Sequence, residues 1–343
     1  MGVVLAAAID RGTTVAGISR QDDHIILTSR GAGSRVHDSL QTIRPHEEAA
    51  WANYPLGVVD QFMRSGFALR GFDAEVTGDV PVGAGLSSSA ALEVATAGLL
   101  IKLHELRLPP LEVAKLCQRG ENEFVGVRSG LLDQATSVFG RADHLVYLDC
   151  QTEEIQTIPF PTGYALVIAD SGVKHSLLSS LYNTRREETT AAAEALGVET
   201  LREVTPDHLE IARGSVTELL HRRAAHIVGE NDRVWRAVHA LEGGDAAAIG
   251  ALMNASHESS RTNFENSTPE LDELVAIAQS LPGVLGSRLT GGGFGGGTVT
   301  LVTADRAQQV AEELRERYAA KHGHRPSTFV CKIADGAAIN WRS

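Results

Sequence analysis

The chain has 343 residues, enough for two domains with a core each, and its 43% hydrophobic and 22% charged residues are ordinary globular composition. An excess of 43 acids over 31 bases leaves a net charge of −12, which argues against nucleic acid or an anionic membrane as a main partner. Cys117, Cys150 and Cys331, odd in number and far apart, read as reduced thiols; with no secretory signal and no apolar run of about 18 residues, the cytoplasm is the expected location.

The chain opens abruptly on an apolar run, Val3 to Ala8, and Thr13 to Ser19 and His24 to Ser29 follow as strand patterns. Trp51 to Arg64 can be helical past Pro55; Trp51 and Tyr54 within it could stack on a purine or simply pack in the core. Phe72 to Val80 alternates as a strand, and Ala90 to Leu106 has apolar residues at helical spacing. Between them lies Pro81 to Ala91, PVGAGLSSSAA.

Gly83 and Gly85 carry no β-carbon, so backbone amides there can approach a ligand closely. The free amides and dipole of the following helix favour an anion, above all a phosphate. Ser87, Ser88 and Ser89 add hydroxyls that can cap the helix, bond a phosphate oxygen or reach a metal ion riding on it. A Gly/Ser turn that merely caps a helix is the alternative. A Walker-type loop is ruled out because no Gly-Lys-Ser/Thr follows, and a dinucleotide fingerprint fits poorly because Ser88 stands where its third glycine belongs.

Pro109-Pro110 begins a helix, Leu111 to Phe124, carrying Glu121 and Glu123; such acids form a solvated face, or one of them holds a divalent cation near the phosphate loop. Ser129 reads as an N-cap that places Asp133 in the first turns of a short helix ending near Phe139-Gly140. Asp133 there either stabilises the helix start or accepts a proton from, or orients, a substrate hydroxyl. His144 to Asp149 and Tyr164 to Asp170 read as strands, with the domain boundary expected in Gln151 to Thr157. The second half is helix-rich: Thr184 to Leu196, a run beginning at His208, Glu218 to Leu241, Ala246 to Glu258 and Pro269 to Ser280. His221 and His226 miss the i, i+4 spacing of a helical metal pair, and with Arg222 and Arg223 they read as surface or interdomain polar residues.

Gly286 to Gly297 holds six glycines within seven residues and runs into a strand, Thr298 to Thr303. A hairpin tip is one reading; a backbone that must pass very close to a ligand or to the other domain is the favoured one. A helix, Ala304 to His322, and a strand, Thr328 to Lys332, finish an α+β sandwich.

Three separated stretches now agree. Pro81 to Ala91 and Gly286 to Thr298 resemble the two glycine motifs of the GHMP small-molecule kinases, and the chain is similar within them to the galactokinase family. That second likeness rests on Ala8 to Gly12, Trp51 to Tyr54, Gly130 to Gln134, Ser179 to Arg186 and His257-Glu258. The resemblance implies an α+β fold, with an N-terminal ribosomal-protein-S5-domain-2-like domain over 1–155, a C-terminal ferredoxin-like domain over 156–343, and the active site between them. It implies transfer of the ATP γ-phosphate to the C1 hydroxyl of galactose. Gly83, Ala84, Gly85, Leu86, Ser87, Ser88 and Ser89 would wrap the triphosphate, Ser89 and Glu121 would help hold Mg²⁺, and Trp51 and Tyr54 would lie near the adenine. Asp133 would be base or orienting anion, with Gly130 and Tyr182 lining the sugar pocket. Galactose and ATP are the expected partners of a monomer.

The family's first motif, an Arg-Val-Asn-Leu-Ile-Gly-Glu-His-Thr-Asp-Tyr type segment, belongs just before Gly2-Val3-Val4-Leu5 and is absent from the chain as written. The expectation is that the sequence is short at its N-terminus, which translation of the DNA upstream of Met1 would decide. These 343 residues alone would then turn galactose over poorly, since lost sugar contacts cost about 1–3 kcal/mol each and a missing arginine a further factor of roughly 10³. Another kinase of the superfamily, acting on an N-acetylhexosamine or another small alcohol, is the enzyme alternative. A non-catalytic sensor of sugar and ATP is disfavoured by the intact Gly-Leu-Ser-Ser-Ser-Ala-Ala, and a Rossmann-type dehydrogenase is more distant still.

Overall fold

The structure, a computed structural model, describes residues 2–173 and 178–339, and only the backbone of 178 and 179. Ser179, first of the segment Ser179 to Arg186 singled out above, therefore lies outside the described side chains.

In chain order the elements are β1 (Val3–Ala6), β2 (Thr13–Ser19), β3 (His24–Ser29), β4 (Ser34–Ser39), α1 (Asn53–Arg64), β5 (Phe72–Gly78), α2 (Ser88–Leu103), α3 (Pro110–Arg119) and α4 (Leu132–Phe139). There follow β6 (His144–Asp149), β7 (Ile155–Pro159), β8 (Tyr164–Asp170), α5 (Leu178–Ala195), α6 (Pro206–Ile211), α7 (Glu218–Glu242), α8 (Ala246–Ser259) and α9 (Pro269–Gln279). The chain closes with β9 (Val284–Leu289), β10 (Gly297–Thr303), α10 (Ala307–His322) and β11 (Ser327–Cys331). Helix α1 starts two residues before Pro55, which sits in the first turn, where its missing N–H costs nothing. Among the described residues no helix is long and apolar enough to cross a membrane.

The chain forms two compact units. One gathers the described residues up to Leu5, the short segment Val82–Leu86, and Asp143–Lys332; the other takes Ala6–Pro81, Ser87–Ala142 and the described residues from Ile333 on. In the second of these, the sheet runs β2-β5-β3-β4, with β5 antiparallel to β2 and parallel to β3. Ile25, Leu27 and Phe72 from the strands and Leu56, Phe62, Leu100 and Leu116 from the helices are fully buried together, each contributing about 1.5–3 kcal/mol. Helix α2 is apolar around nearly its whole circumference, so it can only be a buried helix, and it packs on β2, α1, α3 and α4. That burial fixes where its N-terminus points.

In the other unit, β8, β9, β10, α10 and β11 alternate with helices as β-α-β-β-α-β, and the antiparallel sheet has the order β11-β8-β10-β9. This is the ferredoxin-like arrangement. Leu274, Ile277, Leu314 and Tyr318 of α9 and α10 cover Val167, Ala169 and Val302 of the sheet. The polar stretch at 151–157 is a turn and the first half of β7, which pairs with β6 as a hairpin.

His221, Arg223 and His226 are not surface residues. Their face of α7 turns inward toward α5 and the π-helical turn Ser260–Phe264, and Arg223 is 1% exposed. Its guanidinium reaches Glu188 at 2.6 Å, Glu265 at 2.7 Å and the Asn263 carbonyl at 2.5 Å. The partners that make burial tolerable lie far along the chain, beyond any local pattern.

Candidate active site

The glycine-serine loop leaves β5 and enters α2 with positive φ at every second residue: +88° at Gly83, +72° at Gly85 and +52° at Ser87. Alternation of this kind turns neighbouring amides toward one side and makes a concavity that suits an anion. Glycine accepts such angles freely, but Ser87 does so at a cost of about 1–2 kcal/mol. Its hydroxyl makes no capping bond to α2. It lies near the Asp133 carboxylate and favours its charged form. Ser88 and Ser89 follow in the first turn, half-buried.

The C-terminal glycine run is explained by close approach, and its close neighbour is the backbone of Val82–Leu86 in the same unit. A β-carbon on Gly85 would sit 2.7 Å from the Thr290 carbonyl oxygen, and one on Gly291 would sit 3.0 Å from the Gly85 Cα. The run is pinned on either side. Asn266 donates its amide to the Gly292 carbonyl at 3.1 Å and accepts from the Phe294 N–H at 2.6 Å, while Ser171 donates its N–H and hydroxyl to the Gly296 carbonyl at 2.9 and 2.6 Å. Tyr182 of α5 lies against Gly292 and is 40% exposed.

Around the start of α2, in its own unit, the other candidate side chains form a cluster of buried carboxylates. Helix α3 widens at its end into a π-helical turn, Gly120–Val125, closed by a bond from the Gly126 N–H to the Glu121 carbonyl at 3.0 Å. Such turns frequently mark functional positions. Here the widening presents Glu121, 5% exposed, to Ser129 and Gln134. Ser129 is not the cap of α4; Leu131 holds that position, and the Ser129 hydroxyl is taken by the stronger, charged acceptor Glu121. Gln134, fully buried, donates its amide nitrogen to Glu93 of α2 at 2.9 Å and to Glu121 at 3.0 Å.

The electrostatics follow from this crowding. Burial pushes the Asp133 carboxyl above its ordinary range, the nearby Ser87 hydroxyl opposes that rise, and the charge of Glu121 adds to it. Glu93 is raised well above the usual range by burial and then by Glu121. Tyr54 is raised by burial and by the same two glutamates, which puts its hydroxyl in the field of the carboxylate cluster. Trp51 has a different setting: its indole N–H donates to the Ser34 hydroxyl at 2.8 Å and its ring packs on the core. Gly130 is exposed in the turn between Ser129 and α4. Glu123 faces away from this cluster's bonds, accepting from Gln61 at 2.9 Å.

Two members of the cluster, Glu93 and Gln134, escaped the sequence reading. The signals existed: Glu93 is a lone acid in an otherwise apolar helix, and Gln134 is the chain neighbour of Asp133.

Comparison with known proteins gives this arrangement its class. The family model described as GHMP kinases N terminal domain matches residues 53–141, and that described as GHMP kinases C terminal matches 237–320. The galactokinase of Roseiflexus sp. (strain RS-1) is 43% identical, over 98% of this chain and 87% of its own length. The Homo sapiens galactokinase is 40% identical over 98% and 87%. A crystal structure of Lactococcus lactis galactokinase complexed with galactose is 32% identical and superposes with a TM-score of 0.94, covering 98% of this chain and 89% of that one. Methanococcus jannaschii mevalonate kinase, at 19% identity and a TM-score of 0.69, shares the fold. Fold and motifs are those of a two-domain GHMP small-molecule kinase. Within that class the chain belongs to the galactokinases, a family of ATP-dependent sugar kinases.

Proposed function

We propose that the protein transfers the γ-phosphoryl group of ATP to the C1 hydroxyl of D-galactose, giving galactose 1-phosphate and ADP. The observation that carries this reading is the closeness of the Asp133 carboxyl to Ser87, last residue of the glycine loop, whose hydroxyl favours its charged form. It ties the element suited to a phosphate to the one carboxylate suited to a substrate hydroxyl. The N-terminal half, residues 1–155 with loop 81–91, supplies these parts, and the C-terminal half, residues 156–343, supplies the glycine motif 286–298 that backs Val82–Leu86.

Phosphoryl transfer asks little covalent chemistry of a protein and much positioning and charge neutralisation. In this reading the amides from Gly83 to Ser89 receive the triphosphate, and Trp51 and Tyr54 stand on the adenine side. Gly130 and Tyr182 would each contribute to recognition of the sugar. Asp133 orients the C1 hydroxyl and takes its proton as the oxygen–phosphorus bond forms and the bond to the ADP oxygen breaks. Its raised pKa makes it a better proton acceptor than an exposed aspartate.

The residues fit a magnesium ion. Glu121 is 5% exposed, and its charge raises the carboxyls of both Glu93 and Asp133. Mg²⁺ binds through one or two carboxylates plus phosphates and keeps several waters. Ser89 and Glu121 would hold it, and it would neutralise triphosphate charge. We further propose a cytoplasmic monomer, in keeping with three cysteines that form no disulfide among the described residues and with the excess of acids.

The test is galactose-dependent release of ADP by the protein, with the product identified by ³¹P NMR. Galactose 1-phosphate is the expected product; ADP release that ignores galactose but follows another sugar would redirect the assignment.

A further inference from the structure

Gln134 stands beside the catalytic candidate in sequence but faces another way. Both hydrogens of a primary amide are spent on carboxylates from different helices, Glu93 of α2 at 2.9 Å and Glu121 at 3.0 Å. The α2 helix opens with the serines of the phosphate loop, and Glu121 lies on the π-helical turn. Glu93 and Gln134 are both 0% exposed, and the Oε1 atom of each has no hydrogen-bond partner among the described residues. Leaving such atoms unbonded costs about 1–3 kcal/mol each, so a merely structural core would be better served by apolar side chains of the same shape. The amide nitrogen of Gln134 is bonded to both carboxylates, and only its carbonyl oxygen is left unsatisfied.

We propose that Gln134 is a positioning residue, anchored on Glu93, that fixes the orientation of the Glu121 carboxylate toward the divalent cation of the nucleotide. The inference rests on the kinase reading above. Glu121 receives two hydrogen bonds on the same oxygen, Oε2, from Ser129 and from Gln134. Two donors on one oxygen hold the carboxylate plane and leave the other oxygen for a cation. Outer partners of this kind typically govern metal affinity by 10- to 100-fold.

The test uses Mn²⁺ as a paramagnetic probe with ADP, titrated against the full-length protein and read by the EPR signal of free Mn²⁺. Thermal unfolding of the nucleotide-free protein reports integrity. Q134M keeps the side-chain shape and removes the donor; Mn²⁺–ADP binding is expected to weaken roughly tenfold, with a larger change in the metal titration than in the KM for galactose. A second pair guards against a Q134M that fails to fold. E93Q still offers an oxygen to the Gln134 amide and should bind Mn²⁺ nearly as the parent does, whereas E93L removes the anchor and should reproduce the Q134M loss. A folded Q134M with parental Mn²⁺ affinity, or E93L and E93Q with equal affinity, overturns the inference while the kinase reading stands. Parent protein that binds no Mn²⁺–ADP overturns that reading and this one with it.

Discussion

Ser87 sets its hydroxyl near Asp133 from a backbone conformation, φ +52°, that serine seldom adopts. S87A keeps the unfavourable φ and removes the hydroxyl, while S87G removes the hydroxyl and relieves the strain. Both should reduce kcat by about 10- to 100-fold through a less well oriented Asp133, yet S87G should be the more stable of the two by about 1 kcal/mol. Denaturant unfolding beside steady-state kinetics checks it. Equal stability, or activity restored by glycine, would count against the coupling.

G85A and G291A should damage the protein for a shared reason. At Gly85 the new methyl meets the Thr290 carbonyl at 2.7 Å on a residue with φ +72°, and at Gly291 it meets Gly85 Cα at 3.0 Å with φ +74°. Backbone cannot retreat cheaply, so each should lose about 1–3 kcal/mol of stability and raise the KM for ATP. G214A, where nothing lies within 4 Å, is the control and should unfold at the parental temperature.

Much of this was readable in the sequence and some was not. Periodicity sufficed for β5, for α7 through α9 and for the strand after the glycine run, since these elements bury one face or all faces in a regular pattern. The loop was legible because two glycines and three serines between a strand and a helix have few other uses. The packing of Val82–Leu86 on Thr290 and Gly291 was out of reach, for it joins residues two hundred apart. Ser129 misled because a cap is the commonest use of a serine before a helix, and only the structure brings the competing acceptor, Glu121, within reach. Arg223 misled for a like reason: a charged residue is read as exposed until Glu188 and Glu265 are seen around it.

Removing that arginine should be costly. R223M removes a cation that is 1% exposed and bonded to both Glu188 and Glu265; these keep Arg185 and Arg222 as partners, so about 1–3 kcal/mol of stability should go with it. The pH dependence has a definite sign. The bonds from Arg223 and then Arg222 hold Glu265 below its ordinary value of 4.5, so its contribution is present above that pH and is lost as acid takes the pH through the lower folded value. Stability of the parent should therefore fall in that acid window, and R223M should show a shallower slope there. Urea unfolding from pH 3 to pH 6 would reveal a parallel pair of curves if the network were inert.

The most direct measurement compares the parent with D133N for galactose-dependent ADP release, alongside binding of a fluorescent ATP analogue. The account predicts turnover by the parent and a loss of roughly 10³-fold or more in D133N, with the nucleotide bound nearly as well by both. Turnover by D133N within tenfold of the parent would contradict it, because the carboxylate beside Ser87 would then have no part in the transfer.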